Sequence, residues 1–220
     1  MSRLFLESYP WLGTFTTAAL SIVAAFVFAK LSGAIYYIPN DRLGVLEKLW
    51  SLKGSLTNGL IALRGEAGFQ SDVLRGGFHF FVPFQYRVHR ETLVTIPQGQ
   101  IGYVFARDGI PLAPTQTLAS NAEAHDFQDV RDFLEKGGQK GPQRKILREG
   151  SYAINLAQFV VLTKERTYAS ALNNDDRALF DSMSGLIENR PVYEPVVIKD
   201  SDDVIGIVTI HDGPALPEGE

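Results

Sequence analysis

The chain has no cysteine. That removes disulfide bridges and thiolate metal sites and leaves the cellular compartment open. Histidine is scarce as well: His79, His89, His125 and His211 are the whole complement. None stands at a ligand spacing such as His-Glu-x-x-His, and no compact motif joins them to a pair of carboxylates. Positive charge is not in excess, with 21 Lys and Arg against 25 Asp and Glu, a net charge of -4 and a pI near 5.6. Phosphate backbones need a basic face, so nucleic acid is not an expected partner. No Gly-x-Ser-x-Gly elbow is present, since Ser184 falls inside a helical pattern. The glycine-rich loop 137–141 lacks the Gly-Lys-Ser/Thr ending of a phosphate loop. Asp200, Asp202 and Asp203 lack the glycine and distal glutamate of a calcium loop. His125-Asp126 would be the place to look for a tethered hydrolase, together with His211, but the aspartate is better used as a helix cap. The expectation is a protein without enzymatic activity, bound metal or cofactor.

What the chain does have is a long uncharged run. Residues 8–29 carry no charge, and 11–29 are almost wholly apolar or small. At about 1.5 Å per residue such a run crosses a hydrocarbon core of about 30 Å. Tyr9 and Trp11 at one end and Tyr36 and Tyr37 at the other fit interfacial aromatic belts. Lys30 can snorkel to the far interface. Ser32-Gly33-Ala34 also suits signal-peptide cleavage, but the apolar run exceeds a usual signal core and the leader has only Arg3, offset by Glu7. The reading is therefore a short segment at 1–10 and a retained transmembrane anchor at 11–37. Gly13, Thr17, Ser21, Ala25, Ala29 and Gly33 recur every fourth residue, a stripe along which anchors could pack closely. Arg3 precedes the span, while Lys30, Arg42, Lys48 and Lys53 follow it. By the positive-inside rule the body leans to the cytoplasmic side of a plasma (inner) membrane.

Beyond the anchor the chain repeats itself. Ile38-Pro39-Asn40-Asp41-Arg42-Leu43-Gly44-Val45 is followed by Ile96-Pro97-Gln98-Gly99-Gln100-Ile101-Gly102-Tyr103, and a looser version runs from Ile198 to Ile207. A second unit, Leu74-Arg75-Gly76-Gly77-Phe78-His79-Phe80-Phe81, is echoed by Leu147-Arg148-Glu149-Gly150-Ser151-Tyr152-Ala153-Ile154. The repeated element reads as strand, turn and strand. His79 aligns with Tyr152, which marks it as a strand residue. Strands are predicted at 42–50, 60–63, 77–81, 86–96, 100–106, 152–154, 159–163 and 192–198. Asp108-Gly109, matched by Asp212-Gly213, carries a hairpin signal. Helices are predicted at 126–136, capped by Asp126 and stopped at Gly137, and at 175–189. Two surfaces invite contact. Phe80, Phe81 and Phe84, within the run 78–84, suit either a membrane interface or a core. Lys140, Arg144 and Lys145 suit a solvated face, an acidic lipid headgroup or a neighbouring subunit.

The chain resembles the bacterial flotillin-like branch of the stomatin, prohibitin and flotillin (SPFH, band 7) superfamily. The residues that carry the likeness are Ile96-Pro97-x-Gly99-x-Ile101-Gly102, Asp108-Gly109-x-Pro111-Leu112, the run from Phe127-Gln128-Asp129-Val130-Arg131 to Gly141-Pro142-Gln143-Arg144, and Ile146-Leu147-Arg148-x-Gly150-x-Tyr152-x-Ile154-Asn155. The residues read as α+β, a transmembrane helix and then a strand-rich region with two short amphipathic helices, and the resemblance implies that the region at 38–197 is SPFH-like. It further implies a single-pass scaffold that forms homo-oligomers, organises membrane microdomains or encloses membrane complexes, and contacts the lipid bilayer. A membrane-anchored regulator that binds a protease or other client without large assemblies is the alternative. Such members continue into a coiled coil, so residues 198–220 are expected to begin a third, truncated repeat.

Overall fold

In the computed structural model, residues 10–120, 125–172, 176 and 193–194 are described. They form an apolar N-terminal helix followed by a strand-rich α+β body. Helix α1 (Pro10–Leu31) opens on a proline, which suits a first turn whose N–H groups have no intrahelical partner. Lys30 in its last turn complements the helix dipole. Thr14 and Thr17 return their hydroxyls to the carbonyls of Trp11 and Gly13 at 2.8 and 3.0 Å, so their polar atoms are met within the helix. The helix ends six residues short of the predicted span. Gly33, in the left-handed region at φ 69°, turns the chain just past it. Gly13, Thr17, Ser21, Ala25 and Ala29 therefore lie on α1, but Gly33 does not. Residues 35–38 are instead a strand, because Tyr36 and Tyr37 find a partner far along the chain.

That strand, β1 (Ile35–Ile38), pairs antiparallel with β5 (Gly77–Phe80). Next to it lies a four-stranded sheet. In it, β2 (Arg42–Lys48) runs between β4 (Gly68–Leu74) and β6 (Tyr86–Thr92), and β3 (Ile61–Ala62) adds parallel to β4. The second half of the body repeats this plan. Strand β7 (Val94–Ile96) pairs with β10 (Gly150–Tyr152). Strand β8 (Tyr103–Ala106) lies between β9 (Gly141–Pro142) and β11 (Phe159–Leu162), with β12 (Thr167–Tyr168) outside β11.

The sequence repeat is thus a duplicated module, residues 35–92 and 94–163, and the registers agree pair by pair. Leu46 opposite Val88 becomes Val104 opposite Val161, and Lys48 opposite Tyr86 becomes Ala106 opposite Phe159. Glu47 opposite Phe69 becomes Phe105 opposite Pro142, and Ile38 opposite Gly77 becomes Ile96 opposite Gly150. Side-chain contacts are copied too. Gln70 Nε2 donates to the carbonyls of Glu66 and Gly68 at 3.1 and 2.9 Å; Gln143 Nε2 donates to those of Gln139 and Gly141 at 2.7 and 2.9 Å. His79 Nε2 lies 2.7 Å from the Arg75 carbonyl, where Tyr152 Oη donates to the Arg148 carbonyl at 3.0 Å. The alignment of His79 with Tyr152 is a shared structural position.

The repeated glycines hold the module closed. A Cβ on Gly44 would stand 2.8 Å from Val88 Cγ1 and 3.2 Å from Ile38 Cδ1; one on Gly102 would stand 2.7 Å from Ile96 Cδ1 and 3.4 Å from Val161 Cγ1. The same isoleucine and the same cross-strand valine fill the space in both copies. Gly102→Val is expected to overpack this site and cost about 1–3 kcal/mol. Thermal unfolding of the detergent-solubilised chain measures it.

The second module differs by a long insertion between β8 and β9. It contains α2 (Val130–Glu135), one turn shorter at its start than predicted. Asp129, not Asp126, is the N-cap, accepting from the Asp132 N–H at 2.9 Å. His125, Asp126 and Phe127 have φ of 46°, 55° and 62° and form a turn before the helix. Asp126 pairs with Lys145 at 2.8 Å. The predicted stop holds: Gly137 (φ 81°) follows the cap Lys136, with Gly138 N–H bonded to the Phe133 carbonyl at 2.8 Å and Gly137 N–H to that of Leu134 at 3.3 Å. The hairpin predicted at Asp108-Gly109 does not form. The Asp108 carboxylate accepts from the backbone N–H groups of Leu60 (2.6 Å) and Ile61 (3.3 Å), so the turn is anchored on β3 of the first module.

Both modules share one core. Leu43, Val45 and Ile61 from the first and Val94, Phe133, Ile154, Phe159 and Val161 from the second belong to one buried cluster. Burial on that scale drives the body together. The helix predicted at 175–189, the strand at 192–198 and the third repeat at 198–213 lie outside the described residues, apart from Asp176, Tyr193 and Glu194.

Candidate membrane-proximal site

The site is built where α1 meets the first module. Only Ser32, Gly33 and Ala34 separate helix from strand, and all three are fixed in place. Ser32 N–H bonds to the Phe28 carbonyl at 2.8 Å and Ala34 N–H to that of Ala29 at 2.9 Å. From the module, Phe84 N–H donates to the Ser32 carbonyl at 2.7 Å and Phe81 N–H to that of Ala34 at 2.9 Å. Tyr36 Oη donates to the Tyr86 carbonyl at 3.1 Å. Helix and module are joined as one body, with no free linker.

On the β1–β5 pair, alternation sorts the side chains onto two faces. Tyr36 and His79 point one way, and the Tyr36 ring packs against Phe81, 6.0 Å between centroids. Phe81 also meets Tyr86 at 4.9 Å and is half-buried. On the opposite face Tyr37 pairs with Phe78, centroids 5.0 Å apart, and Phe80 stands beside them; all three are exposed. Phe84 has the left-handed conformation at φ 59°, uncommon for a bulky residue. Its carbonyl accepts the Trp50 indole N–H at 3.0 Å, and its ring lies 6.1 Å from that of Phe28 on α1. The structure therefore leaves Phe80 and Phe84 exposed, Phe84 against α1, and turns Phe81 inward. Tyr37 and Trp50 are exposed as well, Tyr37 beside Phe78 and Trp50 beside Phe84. By sequence Tyr37 suits a belt flanking a longer helix, and Trp50 carries no local signal.

Lys140, Arg144 and Lys145 lie elsewhere, around β9 of the second module. Lys140 and Arg144 are exposed there, and Lys145 is paired with Asp126. No group of three or more His, Asp or Glu among the described residues could hold a metal ion. Burial displaces the proton affinity of three groups in the second module. It pushes the Tyr103 and Tyr152 phenols up, the second helped by Asp126, and pushes the Arg107 guanidinium down against the pull of Asp176 and Glu91. Glu47 gathers Arg87 at 3.3 Å and His89 at 2.8 Å on the partly exposed sheet surface. No family model, curated protein or solved structure matches the chain.

By length and composition α1 suits a membrane span, as it would a signal sequence, and the part from Gly13 to Leu31 is unburied by the body. What the arrangement offers is attachment: an apolar rod hydrogen-bonded at its exit to a strand-rich body, with exposed aromatic side chains at the joint.

Proposed function

We propose that the protein is a non-enzymatic, single-pass membrane scaffold of the SPFH kind that self-associates and organises membrane microdomains or encloses membrane complexes. The observation that carries this reading is the joint at Ser32. Ser32 is buried and bonded on both sides, so cleavage at Ser32-Gly33-Ala34 would cut through folded contacts and not through a free leader. A retained α1 whose stretch from Gly13 to Leu31 is left unburied by the body needs lipid or other helices around it. The flotillin-like run at 127–155 supports the scaffold class. The charge asymmetry across the span favours a cytoplasmic body at the plasma (inner) membrane.

Self-association is read at α1, where the small residues Ser21 and Ala25 lie on an exposed face. Ser21→Leu with Ala25→Leu is expected to weaken the oligomer about tenfold, about 1.4 kcal/mol. Size analysis of the detergent-extracted full chain measures this. A strictly monomeric protein, or a protein washed from membranes by alkaline carbonate, would sink the proposal.

A further inference from the structure

The duplication also shows what completes a module's sheet. In the second module β12 pairs antiparallel with β11, Tyr168 opposite Val161 and Thr167 opposite Leu162. Thr163 N–H is taken up by the Arg166 carbonyl at 3.0 Å. The Tyr168 side chain is buried, and its hydroxyl serves both backbone groups of Thr95 on β7. It accepts from the N–H at 3.2 Å and donates to the carbonyl at 3.0 Å. Val161, opposite it, is 0% exposed.

The first module carries no such strand among the described residues. Its counterpart of β11 is β6, and β6 stands last in the sheet order β3-β4-β2-β6. By the registers above, Val88 answers to Val161, Arg90 to Thr163 and Tyr37 to Thr95. Val88 is half-buried where Val161 is wholly so. Leu49 N–H bonds to the Gln85 carbonyl at 2.8 Å, and antiparallel strands bond at every second residue. Arg87, His89 and Glu91 therefore turn their backbone groups to β2, and Val88 and Arg90 turn theirs to the open side. Tyr36 Oη already meets the Tyr86 carbonyl at one end of this edge. Among the described residues, nothing bonds the outward groups of Val88 and Arg90. An edge of this kind is a template for one more strand.

We propose that β6 is a docking edge for an extended segment of a partner protein, which adds antiparallel to it with the pattern Asp/Glu-x-Tyr. Three observations set that pattern. The second module shows direction and register, because β12 fills the same edge there. It also shows what stands opposite the valine: Tyr168, whose hydroxyl reaches a β7 backbone that Tyr37 repeats on β1. No side chain bonds the Tyr37 backbone among the described residues. The third observation is charge. Arg90 replaces Thr163, is exposed and has no carboxylate partner among the described residues. The residue facing it lies two before the tyrosine, where the second module has Arg166. A carboxylate there pairs across the strands, and a basic segment is turned away. A second copy's β12, with Arg166 at that place, is thereby disfavoured as the occupant. Arg87 is exposed as well but is already held by Glu47 at 3.3 Å. The inference does not rest on α1 crossing a membrane.

The probe is a fluorescein-labelled peptide, Ser-Glu-Thr-Tyr-Thr-Val-Ser, titrated against the detergent-solubilised full chain by fluorescence anisotropy. Saturable binding is expected, with a dissociation constant below about 1 mM. Arg90→Glu is expected to weaken it about tenfold, and a peptide with lysine for glutamate to regain that loss on the variant. Phenylalanine for tyrosine in the peptide is expected to cost about fivefold, through the hydroxyl's bonds to the Tyr37 backbone. Arg90→Pro removes only an outward N–H, which an edge strand tolerates, and binding is expected to vanish. Far-ultraviolet circular dichroism reports whether that variant keeps its fold; if it does not, the charge exchange decides alone. Equal binding by Arg90→Glu, or a lysine peptide that gains nothing on it, overturns the proposal, as does the absence of saturable binding. Binding that appears only once an oligomer is dissociated would mean that a second copy holds the edge, and would also overturn it.

Discussion

Asn155→Ala is expected to destabilise the body by about 3–5 kcal/mol, since each polar group left buried without a partner costs about 1–3 kcal/mol. The side chain is fully buried at the joint between the modules. It donates to the carbonyls of Gln70 and Ser71 on β4 and accepts from the Ala157 N–H at 3.1 Å. Removing it takes one partner from two carbonyls and one amide at once, beside the buried Leu156 and Ala157. Asn155→Asp is expected to be no better. It keeps the acceptor but loses the donors and brings a negative charge against two carbonyl oxygens. Denaturant or thermal unfolding of the detergent-solubilised chain checks both variants. A loss below about 1 kcal/mol for the alanine variant would mean that water or a shifted backbone satisfies those groups.

The same residue shows where sequence reading succeeds and where it stops. Asn155 lies just past a repeat unit, Leu147 to Ile154, that is visible in the letters, and the repeat does report a real duplicated module. The glycines at 44 and 102, the Ile-Pro turns before them and the match of His79 to Tyr152 all recur as shared geometry. These features are legible because each depends on a local requirement: no room for a Cβ, a tight turn, alternation along a strand. Strand β1 was not legible. Tyr36 and Tyr37 satisfy an interfacial belt and a β-strand equally well, and only the distant β5 decides between them. The role of Asp108 was hidden for the same reason, because an Asp-Gly pair looks like a hairpin until Leu60 and Ile61 arrive to claim the carboxylate.

The candidate site was half legible. The run 78–84 announces itself as apolar, but composition does not say which ring faces out. Alternation along β5 puts Phe78 and Phe80 on one face. Phe81, just past the strand, packs inward on Tyr36 and Tyr86. The basic residues Lys140, Arg144 and Lys145 are close in sequence to one another and belong to the other module, so charge counting alone could not place them relative to the exposed aromatic side chains. Duplication followed by divergence gives a physical account of the asymmetry. The copy covered by its neighbour carries small side chains at these positions, Ala153 and Ala157 where the other has Phe80 and Phe84, and the copy beside the helix carries aromatic ones.

Phe159→Ala is the second change with a large expected effect, about 3–5 kcal/mol for an emptied phenylalanine site. Its ring is fully buried on β11 and meets Phe127 and Phe133 edge-on at centroid distances of 5.2 and 5.0 Å. Both partners come from the insertion that only the second module has: Phe127 from the turn before α2, Phe133 from α2 itself. Gly138 closes the other side, because a Cβ there would meet the Phe133 ring at 2.5 Å. The cavity therefore opens between the sheet and the insertion, and hydrogen exchange is expected to rise in residues 127–138 before it rises in β2 or β6. Uniform loss of protection across both modules would contradict that local picture. Phe159 N–H also bonds to the Asn155 carbonyl at 2.9 Å, so the two sites share backbone. The double variant is accordingly expected to fall short of the sum of the single losses by about 0.5–3 kcal/mol, the coupling typical of neighbouring residues.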